Sequence, residues 1–264
     1  PVFLQAGTDR IIRSTVGGSD IEIAIREMYL DSVVPVVPDP APLSSLVSPS
    51  GFSIESLADR YRVHGVQHQG KPHIVDMSKA LLDNGVAHTQ SDWVEITKDG
   101  EWKLGSCPLY FAVFGALDDN KEAPFVDEVK NMFGNDFRKY GMMTSTRVSY
   151  TVSGRDVVVH DFGYEGERRE EENIVGADGW INNAGFGAAT GALLGIEDSS
   201  RIESVGNYIS GKKSYLWRLN SKPKKDVERA LVLGDDGFNV YAYVGIYNYW
   251  RARGMVVRSA ENSP

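Results

Sequence analysis

The sequence predicts an α+β chain: an antiparallel-dominated sheet with packed helices, preceded by an extended proline-rich N-terminal arm. Three observations predict it. "TSTRVSYTV", then Ser153-Gly154, then "RDVVVHDF" is a strong hairpin signal, two β-rich runs about a turn. "PLYFAVFGAL" from Pro108 and "PFVDEVKNMFGNDFRKY" from Pro124 each open with a proline and continue as helices. Pro35, Pro38, Pro40, Pro42 and Pro49 put five of the chain's eleven prolines within fifteen residues. That density excludes a helix and makes a poor central strand, so the segment reads as extended and polyproline-like. Residues 1–50 are therefore taken as a strand, a helix and the arm, and 51–264 as the main α+β domain.

The remaining elements follow in chain order. "DRIIRSTV" reads as a strand, and Ser19 with Glu22 forms a capping box that predicts a helix from Asp20 to Leu30. "SIESLADRYRV" places Ile54, Leu57, Ala58 and Tyr61 on one helical face. "DMSKALLDNG" reads as another helix, stopped at Gly85. "DWVEITKDGEWKLG" reads as a hairpin about Lys98-Asp99-Gly100. The charged run from Gly163 to Asn173 reads as a solvated loop or hairpin tip. "GFGAATGALLG" suits helix or loop, and "SRIESVGNYIS" is a helix with Ser200 and Glu203 as a second capping box. "SYLWRL" alternates as a strand; "RALVLG" and "FNVYAYV" form a late hairpin, and "MVVRS" closes the chain.

Composition bounds the function. The chain has 264 residues, 42% hydrophobic and 24% charged, enough for a substantial core and against wholesale disorder. A net charge of -8 argues against duplex-DNA binding over the whole surface, though not against a local basic site. With Cys107 as the one cysteine, no intrachain disulfide can form. "PVFLQAGTDR" shows no basic segment leading into an apolar one, so no signal peptide is read, and a start at Pro1 suggests loss of an initiator Met or a longer leader. No apolar run approaches the roughly 20 residues that span a bilayer. The chain is expected to be cytoplasmic or part of a macromolecular assembly and not to span a membrane.

Each enzyme signature fails on spacing, residue identity or context. "GNYISGK" spaces two glycines and a lysine like a phosphate loop, but Lys213 stands where the magnesium-holding hydroxyl belongs, and helix precedes glycine instead of following it. Gly211 reads as a helix stop. Gly185, Gly187 and Gly191 miss the dinucleotide fingerprint by one residue and read as a packing groove or a loop. "HGVQHQGKPH" carries His64, His68 and His73, yet Gly65, Gly70 and Pro72 oppose a helix, and a strand would hold the first two about 13 Å apart. Cys107 reads as a small apolar residue, with thiolate chemistry (His88 as partner) the alternative, and His160-Asp161 as strand-end polarity. No metal site and no cofactor is expected.

The positive signal is charge. From Gly211 to Arg229, seven basic residues meet two acidic ones, giving +5 and leaving -13 for the rest. Lys212, Lys213, Arg218, Lys222, Lys224 and Lys225, interleaved with Tyr215 and Trp217, are the candidate contacts for an anion or partner. Glu165, Glu167, Glu170, Glu171 and Glu172 form an acidic loop that such a patch would meet on a neighbouring copy. The expected function is a self-associating shell, tube or coat-like subunit, a homo-oligomer with its basic patch on an acidic neighbour, nucleic acid or another polyanion. The alternative is an enzyme or ligand-binding domain for a phosphate-bearing small molecule or nucleotide.

Overall fold

The computed structural model describes residues 9–16, 19–26, 51–183, 185–234 and 236–260, the first two stretches by backbone alone. The proline-rich segment falls outside them. The chain divides into two compact units, Pro1–Leu46 and Val47–Pro264. In the first, β1 (Asp9–Val16) pairs antiparallel with β2 (Ser19–Arg26), with Val16 opposite Ser19. The helix expected from Asp20 is thus a strand up to Arg26. Ile21, Ile23 and Ile25 alternate, and β-branched residues at period two outweigh a capping box.

The second unit is α+β, with two sheets and five α-helices among the described residues. Its smaller sheet joins β3 (Ser53–Ser56), β4 (Arg60–His68), β5 (Lys71–Ser78), β6 (Lys103–Leu104) and β14 (Gly254–Ser259) in the order 3-4-5-14-6, all antiparallel. This corrects two expected helices. "SIESLADRYRV" folds as the β3–β4 hairpin, and "DMSKALLDNG" as the end of β5 followed by a 3-10 turn over Leu82–Gly85. In both, local helical spacing yields to cross-strand pairing that buries Tyr61, Val63, Val75 and Met77. The expected hairpin at Lys98 is instead α1 (Gln90–Thr97), capped by the Thr89 hydroxyl, followed by β6.

The larger sheet has seven strands: β7 (Gly141–Tyr150), β8 (Asp156–His160), β9 (Arg168–Glu172), β10 (Gly179–Trp180), β11 (Tyr215–Trp217), β12 (Val227–Gly234) and β13 (Val240–Gly245). Their order is 10-11-13-12-7-8-9, antiparallel except for the β11–β13 pair. Both expected hairpins, β7–β8 and β12–β13, are present. Part of the charged run is strand β9, the sheet's edge, and charged side chains there discourage edge-to-edge pairing.

One face of this sheet carries the main core. Met142, Val148, Leu231 and Leu233 meet α2 (Cys107–Asp119), α3 (Val126–Lys139) and α5 (Ser199–Ser210). α2 is apolar almost all round, as a helix inside a core must be. α3 is amphipathic: Val126, Val129, Phe133 and Phe137 face inward, with Asp127 and Glu128 at its start and Arg138 and Lys139 at its end, each suited to the helix dipole. Asp198, not Ser200, caps α5 by accepting from the backbone N–H groups of Ser200 and Arg201. Burial of Met143, Ala230, Val232 and Val244 against Trp93 of α1 covers the opposite face of the sheet. Among the described residues, no helix is long and apolar enough to cross a membrane.

Candidate functional site

Of the sequence-derived patch from Lys212 to Lys225, all five lysines are exposed, and three of them have carboxylate partners. Lys212 forms an ion pair with Asp236, and Lys213 lies 3.9 Å from Glu203. Lys222 is held 2.5 Å from the buried Asp156 and also donates to the Gly154 carbonyl. Arg218 turns inward, donating to the carbonyls of Ile174 and Ala177 with its guanidinium over the Phe186 ring. Lys224 and Lys225 stay exposed. Tyr215 and Trp217 belong to a row of rings on the sheet's outer face, with centroid steps of 5.1 Å from Trp180 to Tyr215, 4.6 Å on to Trp217, 6.0 Å on to Tyr241 and 6.1 Å on to Tyr243. The ends of that row, Trp180 and Tyr243, are 49% and 41% exposed.

Gly211 ends α5 in the left-handed conformation, φ +72°. The glycine-rich stretch is α4 (Gly187–Leu194), closed by Gly195 at φ +76°. A Cβ on Gly191 would come within 2.9 Å of the Glu197 side chain, so the glycine lets that chain lie against the helix. The three clustered histidines are separately engaged: His64 with Glu55, His68 with Gln69, and His73 with the His68 carbonyl. Among the described residues, no group of three His, Cys, Asp or Glu side chains is placed to hold a metal.

Cys107 is the first residue of α2 and fully buried, and burial pushes its thiol up to about 12. Its Sγ donates to Thr144, its N–H donates to Thr146, and the Thr144 hydroxyl donates onward to the Leu231 carbonyl. His88 bonds Asp83 and lies edge-on to Trp93. His160 is buried between Thr146 Oγ1 on Nδ1 (3.0 Å) and the Ala192 carbonyl on Nε2 (2.9 Å). A carbonyl can only accept, so Nε2 carries the proton and Nδ1 of the neutral ring accepts from the threonine. The ring thereby ties α4 to the sheet.

Next to His160 lies a cleft of about 780 Å³. Its floor is the one face of α2 free of large groups, Ala112, Gly115 and Ala116, with Phe111 beside them. One wall is α4, through Ala188, Gly191 and Ala192, and the segment running on to Glu197. The remaining walls are the end of β4 and the edge strand β9. β4 reaches the cleft by way of a bulge between Val63 and Val66, where Gly65 adopts φ +74° and shifts the register. β9 presents alternate residues: Arg168 pairs in register with His160, Glu170 with Val158 and Glu172 with Asp156.

Arg168 defines the chemistry. Its Nε and Nη2 are buried with no hydrogen-bond partner, its Nη1 lies 3.9 Å from Glu170, and the side chain is 32% exposed. A buried donor left unpaired costs about 1–3 kcal/mol. Burial, and then the nearby Arg168 charge, hold both His68 and His160 down at about 4, so both are neutral at neutral pH. The cleft's other guanidinium, Arg201, is spent on Asp118 (2.6 Å), Asp119 (2.7 Å) and the Gly115 carbonyl. Glu170, Glu171 and Glu172, placed by sequence in an acidic partner loop, line this cleft; Glu167 pairs with Arg169, and Glu165 is exposed. Sequence reading missed Arg168 as a site residue. Its signal was the alternation of Arg168, Glu170 and Glu172 in "RREEE", which puts three charges on one strand face.

No protein-family model, no curated protein and no solved structure matches this chain.

Proposed function

We propose that the protein is a binding domain for a small molecule that carries a carboxylate or phosphate, held in the cleft over α2. The Arg168 guanidinium beside the cavity, with Nε and Nη2 lacking hydrogen-bond partners, carries this reading. A pocket of this size suits a small ligand, and a turn of the partly exposed Arg168 side chain toward the cleft would offer Nε and Nη2 side by side to an anion. Neutral His68 adds polarity without competing charge, and Phe52, Phe111 and Leu194 supply an apolar lining. The test is calorimetric titration with small carboxylates and phosphates, with and without amino groups, at low and physiological salt. Saturable binding that Arg168→Gln abolishes supports the site. Binding unchanged in that variant, or no binding at millimolar ligand, refutes it.

Self-association is the second reading, favoured by the aromatic row from Trp180 to Tyr243. A contiguous row of rings, half-buried in the middle and exposed at both ends, suits a surface that becomes buried on assembly. Lys213, Lys224 and Lys225 would supply the docking charge toward an acidic neighbour or a polyanion. Light scattering on a sizing column decides it. A discrete mass well above 29.1 kDa that Trp217→Ala reduces supports assembly through this face, and a monomer at micromolar concentration refutes it.

A further inference from the structure

Charge across the cleft narrows the ligand further, and this step rests on the binding reading above. Lining the cavity are five carboxylates, Asp119, Glu170, Glu171, Glu172 and Glu197, against Arg168 and Arg201. Arg201 is neutralised by Asp118 and Asp119, which leaves Glu170, Glu171, Glu172 and Glu197 against Arg168. A simple anion approaching Arg168 therefore enters a negative field, and its gain at the guanidinium is opposed by the surrounding glutamates. A ligand with an ammonium group beside its anion meets both demands.

Arg168 and Glu170 sit two residues apart on the same face of β9, with Nη1 and Oε1 separated by 3.9 Å. That distance is too long for a hydrogen bond, as is the 3.8 Å from the same Oε1 to His160 Nε2, so Glu170 keeps room for another donor and Arg168 keeps Nε and Nη2 for another acceptor. The carboxylate and ammonium of an α-amino acid share one carbon and lie at a comparable separation. They bridge such a pair, carboxylate on Arg168 and ammonium on Glu170. Beyond the charges, Phe52, Pro108, Phe111, Leu194 and Ile196 line the cavity with apolar surface. We propose that the cleft binds a zwitterionic α-amino acid with an apolar side chain, oriented by the Arg168–Glu170 pair.

The probes are L-leucine and L-phenylalanine, with isocaproate (leucine without its ammonium) and isoamylamine (leucine without its carboxylate) as controls. Each is titrated calorimetrically into the full chain. L-leucine or L-phenylalanine binding at least about tenfold more tightly than both controls is the expected result. Glu170→Gln should weaken the amino acid about tenfold and leave isocaproate unchanged or tighter, and Arg168→Gln should abolish both. Glu170 stands on an exposed sheet edge, so its variant keeps the fold, which a circular dichroism spectrum checks. Isocaproate binding as tightly as leucine, with loss in Arg168→Gln, overturns the zwitterion and leaves the anion-binding reading standing. Isoamylamine binding alone, or no binding of any probe, overturns the zwitterion.

Discussion

Lowering the pH should destabilise this protein through two named histidines, and the size of the effect follows from their surroundings. His160 is fully buried and His68 nearly so, and each is held near 4 by burial first and then by Arg168. In the unfolded chain both return to about 6.5. Between these values the unfolded state takes up protons that the folded state refuses. The stability contributed by the neutral rings is therefore fully present above about pH 6.5 and is lost as pH falls toward 4. At about pH 5 the loss comes to about 2 kcal/mol for each histidine relative to about pH 8, and it levels off near 3 kcal/mol each below pH 4. Asp161 works in the opposite direction: burial raises its carboxyl, so its contribution is present below its unfolded value and fades as pH rises through the folded one. The global curve thus mixes signs, and the assay must resolve single imidazoles. Nitrogen-detected NMR of the folded protein from pH 8 to 4.5 does so, with urea denaturation at matching pH for the energy. His160 should remain neutral, proton on Nε2, to below pH 5. Arg168→Gln should raise the titration of both rings. An imidazole of His160 titrating near 6.5 in folded protein would refute the placement of Arg168 and the burial of this ring together.

Three further outcomes are expected. Asp76 is buried among Arg60 (3.4 Å), Arg62 (2.7 Å) and Arg258 (3.1 Å); although burial pushes its carboxyl up, these guanidiniums hold it below the usual range. Asp76→Asn leaves the arginines without their shared anion and should cost about 3–5 kcal/mol in urea unfolding; a loss under about 1 kcal/mol would show that the cluster is solvated. The Cys107 thiol should resist a water-soluble thiol reagent in the native protein and react at once in urea, and rapid native labelling would contradict its burial. Gly141→Ala places a Cβ 2.5 Å from the Trp250 ring and 2.6 Å from Val232, and the overpacking should lower stability by about 1–3 kcal/mol, read from the thermal midpoint.

The elements legible in the sequence were those whose local signals agree with their tertiary role. α2 and α3 begin near the prolines that mark them, and β7–β8 has the β-rich runs and the turn that strands demand. The misread segments are those where a short helical spacing coincides with a strand paired to a distant partner. "SIESLADRYRV" satisfies i, i+3, i+4 spacing, but the pairing of β4 with β5 and of β5 with β14, some 180 residues on, decides the outcome. No local window contains β14. The site was legible only in pieces for the same reason. Counting charge along the chain favours residues 211–229, where the fold pairs exposed Lys212 and Lys222 with carboxylates and turns Arg218 onto backbone carbonyls. The cleft draws on β4, α2, β9 and α4, which meet only in space. Charge alone marks Glu170, Glu171 and Glu172 in the sequence, and the structure adds Arg168 and the cavity beside them.

Whether the cleft over α2 is a binding site anchored by Arg168 is decided by mapping where a ligand lands. Protein-observed NMR with uniformly labelled full chain, titrated with L-leucine and a panel of small carboxylates and phosphates, gives that map. A ligand in the cleft should give saturable shifts at Ala112, Gly115, Arg168, Gly191 and Ala192, all absent in Arg168→Gln. Shifts centred instead on Trp180, Trp217 and Tyr243, or none anywhere, would contradict a site there.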